Sequence, residues 1–255
     1  MNLDNAIKIF KEYTNNYISY EACAKKIDHT IRVMNICEKI ATSLKLSEEE
    51  ITLAKLCGLL HDIGRFEQWK KYETFSDKDS IDHGDLGVKV LTSESNSLLR
   101  KFISTNKYDS IILNSIKYHN KYQISQELTD KEKLFTNIVR DADKIDILYL
   151  YTISGIKIDT NNEKMSVQIY NYLINEKEIN KKDLKTKADK LAVSLGFIFD
   201  INYIESISIL KNEDYYNKQI DLYISTTNNK EFIIQLEQIK NIINKYIGKK
   251  TGDKI

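Results

Sequence analysis

The residues best equipped for chemistry stand in one short run, Leu59-Leu60-His61-Asp62-Ile63-Gly64-Arg65-Phe66. An imidazole, a neutral nitrogen ligand, is followed directly by a carboxylate at the end of an apolar stretch. Neighbouring side chains on an α-helix diverge by about 100°. His61 and Asp62 can therefore serve one ion only from the side of their helix, with other elements completing the shell. The chain supplies candidates: its other histidines are His29, His83 and His119, and the acidic run Asp141-Ala142-Asp143-Lys144-Ile145-Asp146 follows them. Imidazole and carboxylate together suit borderline divalent ions such as Mn²⁺, Fe²⁺, Co²⁺ or Ni²⁺, with Mg²⁺ as a harder alternative. The set contains no thiolate, which argues against a closed structural zinc site.

The elements that must carry these residues read as helices. A short amphipathic helix is expected over residues 2 to 20, with Leu3, Ala6, Ile7, Phe10 and Tyr13 on one side. The next places Ile27, Ile31, Met34, Ile40 and Leu44 at spacings of three and four with a small lapse at Cys37, and His29 falls in line with Val33, Ile36 and Ile40. Alone, His29 reads as a hydrogen-bonded core histidine; the company of His61-Asp62 turns it into a ligand candidate. Ser47 with Glu50 forms a capping-box signature that opens the helix leading to His61, with Gly64 as its expected terminator. Residues 67 to 81 are polar, aromatic and aperiodic, and are expected to form a partly helical loop over the site, packed down by Trp69 and Phe75.

His83 stands at the entrance of a further helix, where free backbone N–H groups can meet an anion. Ile112, Ile116 and His119 at i, i+4 and i+7 aim His119 at the core, where an imidazole needs a partner. Thr129 with Glu132 caps a helix whose apolar stripe runs from Leu134 to Tyr149. Asp141 and Asp143 lie on opposite flanks of that stripe, so periodicity leaves both open as ligands.

The order His, His-Asp, His, His, Asp resembles the HD-domain superfamily of metal-dependent phosphohydrolases. The flanking runs Gly64-Arg65-Phe66-Glu67-Gln68, Tyr72 to Asp77, Asp82-His83-Gly84, His119-Asn120-Lys121, Arg140 to Lys144 and Phe199-Asp200-Ile201-Asn202 look like a small bacterial subgroup of it. The resemblance implies an all-α fold, an HD-domain helical bundle with additional C-terminal helices. It implies that His29, His61, Asp62 and Asp143 hold a divalent ion. Asp143 is favoured over its rival Asp141 because the family's aspartate typically follows an alanine. His83 and His119 then complete a second metal site bridged by Asp62, or contact substrate phosphate where one ion is bound. Asp62, His83 and His119 are the expected catalytic residues. Arg65 and Lys144 flank ligand positions and are expected to bind substrate phosphate. The implied activity is hydrolysis of a phosphate ester or anhydride of a small phosphorylated compound, a nucleotide foremost, by metal-activated water. Two alternatives use the same fold: a di-iron oxygenase and a non-catalytic sensor or scaffold.

Length and composition agree with this picture. At 255 residues the chain is long enough for a sizeable core and reads as one domain over 1–255. The motif-bearing core spans about 20–150 and a helical extension about 160–247, with residues 248–255 expected to fray. Lys+Arg 38 against Asp+Glu 37 leaves no basic excess, which argues against dedicated nucleic-acid binding. Cys23, Cys37 and Cys57 sit in apolar helical patterns and read as buried free thiols, suited to a reducing cytoplasm. No apolar run reaches the roughly 20 residues of a membrane span. Proline is absent, which removes the main helix breaker and fits an all-helical chain.

Overall fold

With no proline to interrupt them, the apolar stripes run as α-helices joined by short 3₁₀ turns and loops. The structure, a computed structural model, describes residues 1–93, 97–153 and 163–252, and among these no strand occurs. The all-α expectation holds. The chain's contacts cluster into two compact units, Met1–Asp143 and Lys144–Ile255, whereas the sequence reads as a single domain.

The first unit contains α1 (Leu3–Thr14), α2 (Glu21–Ser43), α3 (Glu48–Leu60), α4 (Ile63–Tyr72), α5 (His83–Thr92), α6 (Leu98–Phe102), α7 (Asp109–Tyr118) and the first half of α8 (Asp130–Ile153). Its most extensive packing is α2 on α3, followed by α4 on α5 and α5 on α7. Phe10, Val33, Ile40, Leu53, Leu56, Leu59, Leu60, Ile63 and Phe66 are fully buried. Each such side chain contributes about 1.5–3 kcal/mol by leaving water. The predicted caps form as the sequence requires. Ser47 and Glu50 bond reciprocally at the start of α3, and Thr129 and Glu132 do the same before α8.

The segment at the His-Asp pair departs from expectation. Gly64 does not end the helix. α3 stops at Leu60 and α4 starts at Ile63, so His61 and Asp62 form a two-residue joint, with Asp62 at φ −102°, ψ 16°. Gly64 lies in the first turn of α4, where a Cβ would come within 2.3 Å of the His83 carbonyl oxygen and 2.6 Å of the Gly87 nitrogen. The residue is small because α4 and α5 touch there. α4 ends at Tyr72 with Glu73 in the left-handed region, and residues 73–82 lead irregularly into α5.

The second unit begins inside α8 and continues through α9 (Val167–Ile174), α10 (Lys187–Leu195), α11 (Ile204–Glu213), α12 (Tyr215–Thr226) and α13 (Lys230–Thr251). The stripe of Phe232, Leu236, Ile239 and Ile243 on α13 is fully buried, with α9, α11 and α12 packed on that helix. The expected fraying from residue 248 does not occur before Thr251. Gly248 is buried, and Gly252 caps the helix at φ +77°; residues 253–255 lie outside the described residues.

All three cysteines are buried and unpaired. No helix among the described residues is long and apolar enough to cross a membrane.

Candidate metal centre

Six side chains from five places in the first unit converge. His29 projects from α2, His61 and Asp62 come from the α3–α4 joint, His83 opens α5, His119 follows α7, and Asp143 lies on α8. The joint explains how adjacent residues can share a target. On a continuous helix His61 and Asp62 would diverge, and the break removes that constraint.

The ligand atoms fall into two groups. His29 Nε2 lies 3.3 Å from His61 Nε2 and 3.1 Å from Asp143 Oδ1, and His61 Nε2 lies 3.7 Å from the same Asp143 oxygen. Asp62 Oδ2 is 3.5 Å from both of these imidazole nitrogens. The other oxygen, Asp62 Oδ1, is 3.4 Å from His83 Nε2 and 3.6 Å from His119 Nε2, which are 3.0 Å from each other. One carboxylate thus turns one oxygen to each pair of imidazoles. Neighbouring ligands of an octahedral ion with bonds of about 2.1 Å stand about 3 Å apart, close to these separations. Asp141 is fully buried but contributes no atom to either ligand group.

The chemistry of the donors fits cations. His61 Nδ1 donates to the Gly58 carbonyl at 2.7 Å, and His119 Nδ1 to the Ile116 carbonyl at 2.7 Å. His83 Nδ1 donates to the Asp77 carboxylate at 2.7 Å. These partners fix the proton on Nδ1 and turn the Nε2 lone pairs inward, as metal-ligating histidines require. Lone pairs 3.0 Å apart, as on His83 and His119, repel one another unless a cation lies between them.

Electrostatics prepare the same state. Burial pushes the pKa values of His61 and His83 down to about 4, against the pull of the nearby carboxylates, so both rings are neutral near pH 7. Burial alone would push the Asp62 carboxyl up. Lys26 and the surrounding imidazoles outweigh it and hold Asp62 well below the usual carboxylate range. Asp143 follows the same pattern, its burial outweighed chiefly by His29. Neutral imidazole and ionised carboxylate are the forms that bind metal.

Arg65 and Lys144 stand differently. Arg65 Nη1 donates to Gln68 Oε1, the Phe75 carbonyl and Asp77 Oδ1 at 2.8, 2.6 and 2.8 Å, while its Nε lies 3.5 Å from Asp62 Oδ1. Lys144 belongs to the second unit, where its ammonium is held by the carboxylate of Asp200 and, at 3.3 Å, by that residue's carbonyl.

Three residues that position the ligands, and Lys26 beside them, are absent from the candidates named on sequence. Asp77 receives His83, Arg65 and Gln68 together, and Asn120 donates to it at 3.2 Å. Arg140 donates to the carbonyls of Tyr118, His119 and Lys121, which fixes the backbone around His119. Lys26 Nζ lies 2.6 Å from Asp62 Oδ2. Its place one helical turn before His29 was the signal available in the sequence. Asp77 and Asn120 lie outside any apolar period, and only the family-like runs Tyr72 to Asp77 and His119-Asn120-Lys121 included them.

Fold and site together define an all-helical protein with an imidazole–carboxylate centre suited to divalent ions. Residues 27–148 match the family model of the HD domain, and this segment of the chain is an HD domain. The match covers all six converging residues. The HD superfamily is one of metal-dependent phosphohydrolases. Comparison with curated proteins and with solved structures gives no match.

Proposed function

We propose that the protein hydrolyses a phosphate ester or anhydride of a small phosphorylated compound, a nucleotide foremost. It would use two divalent ions held by His29, His61 and Asp143 on one side, by His83 and His119 on the other, and by Asp62 between them. The observation that carries the reading is the division of Asp62, with Oδ2 turned to one pair of imidazole nitrogens and Oδ1 to the other. Ions held this way lower the pKa of water and polarise a phosphoryl oxygen, both of which favour hydrolysis.

The chain's own groups then divide the work. Asp62 spreads its charge over both sides of the site. Asp77 orients His83 through Nδ1, and the Gly58 and Ile116 carbonyls do the same for His61 and His119. Arg65 keeps Asp77 in place and presents Nε, a buried donor without a hydrogen-bond partner, beside Asp62.

The test is a panel of phosphate monoesters, diesters and nucleotides assayed with Mn²⁺, Fe²⁺, Co²⁺, Ni²⁺ and Mg²⁺, alongside metal analysis of the purified protein. Release of phosphate with redox-inert Mg²⁺ or with Mn²⁺, lost on chelation, supports the hydrolase. Oxygen consumption confined to an iron-loaded form would replace it with the di-iron oxygenase. Metal binding without turnover of any panel member would leave a sensor or scaffold.

A further inference from the structure

Lys26 has no part in the metal-ligand set, yet its Nζ is 2.6 Å from Asp62 Oδ2, the oxygen that also faces His29 and His61. The contact comes from the more exposed side of Asp62. The Lys26 side chain is 24 % exposed while that of Asp62 is 3 % exposed, and Asp143 beside them is 18 % exposed. The ammonium also lies 5.8 Å from the centre of the Phe75 ring, and the Arg65 guanidinium lies 5.7 Å from the same ring. Two cations therefore meet around one aromatic side chain, Lys26 on the Oδ2 side of Asp62 and Arg65 on the Oδ1 side.

A divalent ion coordinated through Oδ2 would stand against the ammonium, and like charges so close repel strongly. Lys26 has a flexible four-carbon stem and an exposed flank into which to move. The ring of Phe75 keeps it at the rim, since a cation over an aromatic face is held there. Displaced from Asp62 but held there, the ammonium would remain beside the candidate ligands His29, His61 and Asp143, within reach of an anion bound to their ion.

We propose that Lys26 is a substrate-binding residue, whose ammonium leaves Asp62 when a divalent ion binds and then takes an oxygen of the substrate's phosphoryl group. This rests on the phosphohydrolase reading for the identity of the anion. It adds to that reading the residue that recognises it and the exclusion of the ammonium by the ion.

The experiment uses the full chain and K26M, with K26R as the charge-conserving variant. Mn²⁺ binding and the binding of inorganic phosphate to the Mn²⁺-loaded protein are measured by calorimetry, and melting temperatures show that the variants fold. Expected for K26M is Mn²⁺ affinity equal to or tighter than that of the wild type. Phosphate affinity should be weaker by about tenfold or more, as for a lost charge-assisted hydrogen bond. K26R should recover most of the phosphate affinity. Unchanged phosphate affinity in K26M overturns the proposal. Weakened Mn²⁺ binding also overturns it, because Lys26 would then serve only to hold Asp62. K26Q gives the same comparison if methionine disturbs the fold. Lys26-dependent phosphate binding without turnover of any ester would remove the hydrolase reading and leave this assignment standing.

Discussion

Replacing Gly64 by alanine tests whether the close contact of two helices sets the geometry of the metal centre. The added Cβ would lie 2.3 Å from the His83 carbonyl oxygen, 2.6 Å from the Gly87 nitrogen and 3.0 Å from the Gly87 Cα. All three are backbone atoms, so no rotamer change relieves the overlap. Ordinary contact, from 3.4 Å upward, requires α4 and α5 to separate by about 1 Å. His83 begins α5, and its Nε2 is 3.0 Å from His119 Nε2 and 3.4 Å from Asp62 Oδ1. A shift of about 1 Å is half the length of a metal–nitrogen bond, enough to remove His83 from a shared ion. Alanine gains about 1 kcal/mol in helix propensity over glycine. Overpacking in a well-filled core costs about 1–3 kcal/mol or more, so net destabilisation is expected, on the order of 1–2 kcal/mol. On the two-ion proposal, elemental analysis should show about one ion fewer per chain than in the wild type. Wild-type metal stoichiometry together with a wild-type melting temperature would refute the reasoning.

Three further outcomes follow from the site. Asp62→Ala should abolish turnover and weaken Mn²⁺ binding by a hundredfold or more on the order-of-magnitude scale of lost metal ligands, while far-ultraviolet dichroism stays helical; helicity falling in parallel with activity would make Asp62 structural. Asp77→Asn leaves the shape but removes the charge that orients His83, and should lower metal affinity or kcat by about 10–100-fold; an unchanged enzyme would detach Asp77 from the site. In protein stripped of metal, His61 and His83 titrate near pH 4 when folded and near 6.5 when unfolded, so the unfolded chain binds more protons between these values. Stability should therefore fall as pH drops from about 6.5 to 4, by up to about 3 kcal/mol for each ring, and thermal melts that stay level across this window would contradict the burial argument. Asp62 and Asp143, held below the usual carboxylate range, lose their contribution mainly below about pH 4 and add little to this window.

Much of this site was legible before any coordinates. His29, His83 and His119 could be placed because each falls on or beside an apolar helical stripe, and a polar ring there demands a partner. The capping boxes at Ser47 and Thr129 were readable because their hydrogen bonds are local. What spacing could not provide was tertiary approach. Gly64 looks like a helix stop in one dimension and proves to be a point of contact between α4 and α5 in three. Asp77 sits in a stretch without period, and only the arrival of α5 makes it a partner of His83. Asp141 and Asp143 are equivalent by periodicity; the structure places Asp143 against His29. Residues 248–255 are polar and bear glycines, which suggests fraying, whereas Ile247 and Gly248 are buried and α13 continues to Thr251.

The rings of His61 and His119 each bond to a carbonyl three residues back, at the last turns of α3 and α7. Both helices therefore end at the candidate metal centre, and each brings the negative pole of its macrodipole, equivalent to about half an elementary charge. α4 and α5 begin at the same place, at Ile63 and His83, and bring positive poles of similar size. The backbone poles therefore nearly balance, and the net charge that draws a divalent cation is that of the Asp62 and Asp143 carboxylates, the two groups a point substitution can remove.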